Sequence, residues 1–134
     1  MKLLLDTHIL IWALASPDRL PSLARRLIET AENEVFYSAA CPWEVQIKHA
    51  SSPERMPMQA SELVRWCEQT GFAELPFEAR HVLALDTLAR DEQAPVHKDP
   101  FDRIMLAQAK TDGLFLLTHD QKLEGYDESC VLLV

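Results

Sequence analysis

The sequence predicts an α/β fold with a central, mostly parallel sheet of four to five strands and helices on both faces. Short apolar segments alternate with longer segments of helical periodicity, and this alternation is typical of βαβ units. The first apolar segment, Leu3–Leu5, is uninterrupted, which indicates a strand buried on both faces. The length of 134 residues fits one domain, which we place at residues 1–134.

The individual elements follow from apolar spacing and from residues that begin or end helices. Strands are predicted at Leu3–Leu5, Val35–Tyr37, Phe72–Leu75, Leu114–Leu117 and Val131–Val134, with the third at an edge. Helices are predicted at residues 9–14, 20–31, from 42 onward, 60–67, 78–90 and 99–111. Pro42 suits the first position of the third helix, while Asp99 followed by Pro100 suits the start of the last.

The composition excludes several classes of protein. With 48% hydrophobic and 25% charged residues, the chain is not a disordered or low-complexity sequence. The net charge of −8 argues against a broad basic face that coats nucleic acid. The three cysteines form no CxxC pair, and no apolar segment approaches the roughly 18 residues of a membrane span. We therefore expect a cytoplasmic protein that does not associate with membranes.

Four acidic residues follow predicted strands or lie near the start of predicted helices: Asp6, Glu44, Asp102 and Asp120. Ligands bind open parallel sheets outside the carboxyl ends of the strands, so these acids are expected to converge there, with Glu44 in a first helical turn. Carboxylates held together repel one another unless a cation compensates. Oxygen ligands favour Mg²⁺, with Mn²⁺ as a substitute, and such an ion promotes phosphodiester hydrolysis.

These residue types also have structural explanations. Asp and Glu are favoured in the first turn of any helix, and Asp99 is better explained as a helix cap than as a ligand. His8, His97 and His119 flank the acids, but Mg²⁺ prefers oxygen and no HxxxH spacing occurs, so we expect no metal or general-acid role for them. A haloacid-dehalogenase-like Mg²⁺ phosphatase would need a second Asp at position 8, where this chain has His8.

Four segments of the chain match one known family in order and spacing. They are LLLDTH at residues 3–8, SAACPWEV at 38–45, HKDPFDRIMLAQA at 97–109 and LTHD at 117–120. Together they resemble PIN-domain proteins of the VapC type, the toxins of type II toxin–antitoxin systems. The match covers nearly the whole chain, and the third segment is the most specific.

The resemblance implies a PIN-like domain that is a Mg²⁺-dependent endoribonuclease and leaves a 5′ phosphate on one fragment. It implies catalytic roles for Asp6, Glu44, Asp102 and Asp120, with Asp6, Asp102 and Asp120 at the metal and Thr7 in support. It further implies an RNA substrate, a cognate antitoxin whose peptide offers an Arg to the acids, and a homodimer. A catalytically silent PIN fold that serves as a binding module is the alternative.

Overall fold

The computed structural model describes residues 1–134 and contains one sheet of five strands. The strands are β1 (Lys2–Leu5), β2 (Glu34–Ser38), β3 (Ala73–Leu75), β4 (Phe115–Thr118) and β5 (Val131–Leu133). All neighbouring strands pair in parallel, in the order β3-β2-β1-β4-β5. The predicted parallel sheet is confirmed, as is the edge position of the third strand.

Six α-helices connect and cover the strands. They are α1 (Thr7–Ala15), α2 (Ser22–Glu29), α3 (Ala40–Ser51), α4 (Ala60–Thr70), α5 (Ala79–Ala84) and α6 (Pro100–Asp112). Shorter 3₁₀ turns occupy Pro17–Arg19, Leu85–Thr87 and Gln121–Gly125. Leu3, Leu4 and Leu5 are each fully buried although successive strand side chains point to opposite faces, so both faces of the sheet are covered, as predicted. None of the helices combines the length and apolar character needed to cross a membrane.

The order of the strands changes direction at β1, which defines a crevice at the carboxyl ends of the central strands. From the central β1 the chain proceeds to β2 and β3 on one side, and β4 and β5 lie on the other. Ligands bind open α/β sheets at such a change of direction, outside the carboxyl ends of the strands. The backbone N–H of Asp6 extends the pairing by donating to the carbonyl of Leu117 at 3.0 Å, so the residues after β1 and β4 lie side by side.

Helix α6 is anchored by a buried polar residue. Gln108 is fully buried, and its Oε1 accepts from the hydroxyl of Ser38 at 2.6 Å. Its amide nitrogen donates to the carbonyls of Leu75 and Pro76 at 3.2 and 3.3 Å. These bonds tie α6 to the carboxyl ends of β2 and β3, which fixes the first turn of α6 near the crevice.

Two helical predictions were wrong in detail. The segment predicted as one helix over residues 78–90 forms only α5 and a 3₁₀ turn, and beyond the turn the backbone bonds to residues 125–128 instead of continuing a helix; the N–H of Ala89, for example, donates to Glu128 at 2.8 Å. Pro42 is the third residue of α3 and not the first, since the hydroxyl of Ser38 accepts from the N–H of Ala40 and starts the helix earlier. Proline is tolerated there because the N–H groups of the first turn have no helical partner.

An ion-pair cluster joins α5 to the end of α6 and gives a prediction about stability. Asp112 accepts from the guanidinium of Arg80 at 2.5 Å and from Nε2 of the fully buried His81 at 2.9 Å. Asp112→Asn should lower the free energy of unfolding by about 1–3 kcal/mol, because one buried donor loses its partner. Urea denaturation at pH 7 measures this, with the exposed Asp127→Asn as the matched control.

The same variant should show a defined dependence on pH. Burial raises the pKa of Asp112, but the hydrogen bonds from Arg80 and His81 outweigh it and hold this pKa below its usual value of 3.8. The stabilisation by the carboxylate is therefore present above pH 3.8 and disappears as the pH falls through the lowered pKa. A difference between wild type and Asp112→Asn that stays constant into strong acid would contradict this account.

Candidate functional site

Asp6 lies at the junction of β1 and α1 and is 3% exposed. It caps α1, since its Oδ1 accepts from the N–H of Ile9 at 2.9 Å. Its Oδ2 accepts from the hydroxyl of Thr118 at the end of β4. Burial raises the pKa of Asp6, the bonds from Thr118 and Ile9 oppose the shift, and the charge of Asp120 adds to it. This carboxylate is therefore held in place while ionisation is made unfavourable.

Thr118 links two of the predicted acids, and sequence reasoning did not assign it a role. Besides donating to Asp6, its hydroxyl accepts from the N–H of Asp120 at 3.1 Å. Asp120 in turn caps the 3₁₀ turn that follows β4 by accepting from the N–H of Lys122 at 3.0 Å. The available signal was a hydroxyl residue at the end of a predicted strand, two positions before an acid.

Glu44 lies in the second turn of α3, not in the first turn as predicted, because the helix begins at Ala40. Its carboxylate is 3% exposed and is engaged at both oxygens. Oε1 accepts from the hydroxyl of Thr7 at 2.6 Å, and Oε2 pairs with the ammonium of Lys48. Burial alone would lower the pKa of Lys48, but the bond to Glu44 and its charge raise it. The charge of Glu44 is therefore largely balanced within the protein.

Asp102 lies in the first turn of α6, where Asp99 is the cap, as expected. Oδ1 of Asp99 accepts from the N–H groups of Phe101 and Asp102 at 2.9 and 3.1 Å. Burial, and then the charges of four other acids, raise the pKa of Asp102 to about 7; those acids are Asp99, Asp6, Glu44 and Asp120. The structure therefore brings all four predicted site residues into one electrostatic cluster. No Lys or Arg forms an ion pair with Asp102.

His97 joins this cluster, although no role was expected for it from the sequence because Mg²⁺ prefers oxygen ligands. Ligand atoms of His97, Asp102 and Asp120 all lie within 4.8 Å of one another. The Nε2 atom of His97 is 3.3 Å from Oδ2 of Asp102, and Nδ1 is 2.7 Å from the hydroxyl of Tyr126. Burial and then the charge of Arg90 lower the pKa of His97, so the ring is neutral at pH 7.

The other two flanking histidines lie apart from this group. His8 and His119 instead contact the indole of Trp12, with ring centroids 6.0 and 5.8 Å away. The guanidinium of Arg19 lies 5.3 Å from the centroid of the same indole. Trp12 is half-buried among these side chains, and it also packs against the core.

The donor set of the cluster fits a hard divalent cation. Asp6, Asp102 and Asp120 offer carboxylate oxygens, the ligands that Mg²⁺ and Mn²⁺ prefer. Asp102 in particular is a partly buried acid with a raised pKa and no Lys or Arg partner, and a bound dication would favour its charged form. Glu44 differs, because the ammonium of Lys48 already balances its charge, whereas no Lys or Arg pairs with the other three acids. The first three acids are thus the better candidates for a metal.

Comparisons with known proteins agree with this architecture. The family described as PIN domain matches residues 3–129. Ribonuclease VapC22 of Mycobacterium tuberculosis (strain ATCC 25618 / H37Rv) is 28% identical over 123 residues, which cover 92% of this chain and 90% of that protein.

Two solved structures share the fold. VapBC2 from Rickettsia felis, bound to a DNA fragment from its promoter, superposes with a TM-score of 0.71 at 17% identity, covering 100% of this chain and 98% of that one. VapBC-1 from nontypeable Haemophilus influenzae superposes with a TM-score of 0.58 at 16% identity, covering 92% and 93%. At these identities the superpositions show the fold alone.

Proposed function

The chain belongs to the PIN-domain family, and on this premise we propose that it is a Mg²⁺-dependent endoribonuclease, the toxin of a toxin–antitoxin pair. The observation that carries the proposal is the cluster of acids at the carboxyl edge of the sheet, in which Asp102 is largely removed from solvent and has no Lys or Arg partner. The similarity to Ribonuclease VapC22 supports RNA as the substrate. The match to the PIN family does not favour a phosphatase.

The acids divide into two groups with different tasks. Mg²⁺, or Mn²⁺ in its place, would be held by Asp6, Asp102 and Asp120. The hydroxyl of Thr118 bonds to both Asp6 and Asp120 and so fixes their positions relative to each other. When bound, the ion would supply Lewis acidity that activates water and neutralises charge developing on the phosphodiester. Each carboxylate must be ionised to bind it, so the cation would also hold Asp102 in its charged form.

Glu44 is the acid best suited to orient water. Thr7 and Lys48 each bind one of its two oxygens, so the carboxylate is held in one orientation beside the other acids. A carboxylate held this way can accept a hydrogen bond from the attacking water and direct its oxygen towards phosphorus. Thr7 would then act as a supporting residue through its contact with Glu44.

A cognate antitoxin would regulate the enzyme by covering the acids. The structures that share this fold come from VapBC assemblies, which supports such a partner. The chain has a net charge of −8, and an antitoxin segment that offers an Arg would pair with the unpartnered acids and exclude both cation and RNA. We also propose that the protein forms a homodimer.

The proposal is tested by incubating the purified chain with single-stranded and hairpin RNAs. Cleavage should require Mg²⁺, stop on addition of EDTA, and return when Mg²⁺ or Mn²⁺ is restored, with 5′-phosphate ends on the products. Cleavage that is indifferent to EDTA would contradict the proposal. RNA binding without cleavage at any metal concentration would instead identify a binding module.

A further inference from the structure

His97 is a buried group of the site to which the proposed reaction assigns no task. Its side chain is only 4% exposed, and its ring lies between Asp102 on one side and Tyr126 on the other. Both ring nitrogens are within hydrogen-bond distance of a partner. A nitrogen that is engaged in this way has no free lone pair for a cation.

The partners define which nitrogen carries the hydrogen. An ionised carboxylate only accepts hydrogen bonds, so Nε2 of His97 must carry the hydrogen that faces Oδ2 of Asp102 at 3.3 Å. In the neutral ring Nδ1 then accepts, and the hydroxyl of Tyr126 donates to it at 2.7 Å. The result is a directed chain of hydrogen bonds from Tyr126 through His97 to Asp102.

The segment that carries His97 is itself fixed by Arg90. The guanidinium of Arg90 donates to the carbonyl of Pro95 at 2.5 and 3.1 Å and to that of Lys122 at 3.2 Å, and it lies 4.6 Å from the ring centroid of Tyr126. Gly125 allows this packing, since a Cβ there would lie 2.7 Å from Nη1 of Arg90. The contacts of Arg90 therefore fix both the segment before His97 and the ring of Tyr126 that binds His97.

We propose that His97 is a positioning residue, whose Nε2–H fixes the carboxylate of Asp102 for the cation while Tyr126 fixes His97. The inference deepens the proposed function and rests on it for the identity of the cation. Asp102 has no Lys or Arg to orient its carboxylate. The bond from His97 therefore determines which oxygen lone pairs of Asp102 can bind the cation. Outer hydrogen-bond partners of metal ligands commonly influence metal affinity 10- to 100-fold, roughly.

Mg²⁺ affinity, measured by calorimetry, is the first test. His97→Ala should weaken binding by about 10- to 100-fold, and His97→Gln, whose side-chain amide can donate to the same oxygen, should recover most of it. Tyr126→Phe should weaken binding by about 5-fold, the effect of one neutral hydrogen bond. His49→Ala, which changes a histidine on α3, is the control and should bind like wild type.

Two results would overturn the positioning role. One is unchanged affinity in His97→Ala, and the other is a loss in His97→Gln as large as in His97→Ala, since the amide N–H of Gln should replace the Nε2–H as the donor to Asp102. Circular dichroism and thermal melts establish that each variant is folded.

A second readout is independent of metal and of activity. Nitrogen-15 spectra of the metal-free protein at pH 8 should show His97 as the Nε2–H form, with Nδ1 hydrogen-bonded in wild type but not in Tyr126→Phe. A ring that carries its hydrogen on Nδ1 would overturn the inference. If wild type binds no Mg²⁺, the proposed function fails, and the spectra still decide whether His97 donates to Asp102.

Discussion

Asp6→Asn should reduce RNA cleavage by about 1,000-fold, because a metal ligand contributes several kcal/mol to the stabilisation of the transition state. The amide has the shape of the carboxylate but lacks its charge. Asn is as effective as Asp at a helix cap, so the bond from the N–H of Ile9 is retained and the fold should survive. Initial rates on one RNA substrate at saturating Mg²⁺ measure the effect.

The matched control is Asp18→Asn, which removes an exposed carboxylate from the 3₁₀ turn after α1. Its cleavage rate should equal that of wild type, which would show that the loss of one negative charge elsewhere on the protein does not reduce cleavage. Asp6→Asn protein purified in parallel also reports any contaminating nuclease. A variant that cleaves as fast as wild type would remove Asp6 from the site.

Asp102→Asn should make the metal-free protein more stable at pH 8 while abolishing cleavage. Burial and neighbouring acids raise the pKa of Asp102 from 3.8 to about 7. Because the pKa of Asp102 is higher in the folded than in the unfolded state, protonated Asp102 contributes fully to stability below pH 3.8. This contribution is lost as the pH rises through 7. The shift corresponds to about 2–4 kcal/mol once its 18% exposure and solvent screening are considered.

Denaturation of metal-free protein across pH 5–9 checks this result. The wild-type free energy of unfolding should decline relative to that of Asp102→Asn as Asp102 ionises, and the difference should become constant above its pKa. Added Mg²⁺ should stabilise wild type and leave the variant almost unchanged. Parallel pH profiles for the two proteins would show that Asp102 is not destabilised by its surroundings.

The fold was largely predictable because it depends on local patterns. Uninterrupted apolar runs such as Leu3–Leu5 indicated strands buried on both faces, and all five strands were found. The resemblance to VapC-type PIN proteins is confirmed by the match over residues 3–129 and by the curated relative. The early end of the helix predicted over residues 78–90 was not predictable, because the residues that follow it bond to a segment distant in the chain that includes Glu128.

The candidate site was predictable only in part. Each acid lies beside the end of a strand or the start of a helix in the sequence. Because these points share one edge of a parallel sheet, the acids could be expected to lie close together. The partners that distinguish the acids depend on tertiary contacts: Thr118 meets Asp6 across 112 positions of the chain, and Tyr126 meets His97 across 29. The pairing of Glu44 with Lys48 has helical spacing, but spacing alone does not reveal that this acid is buried.

Titration of Mg²⁺ into the metal-free protein, followed by calorimetry in buffers of different ionisation enthalpy, tests the central claim directly. That claim is that the clustered acids repel one another and that a bound hard dication relieves this repulsion. At pH 6, below the pKa of about 7 of Asp102, each bound ion should release close to one proton, and at pH 8.5 almost none. The absence of binding at millimolar Mg²⁺, or binding with no proton released at pH 6, would contradict the account.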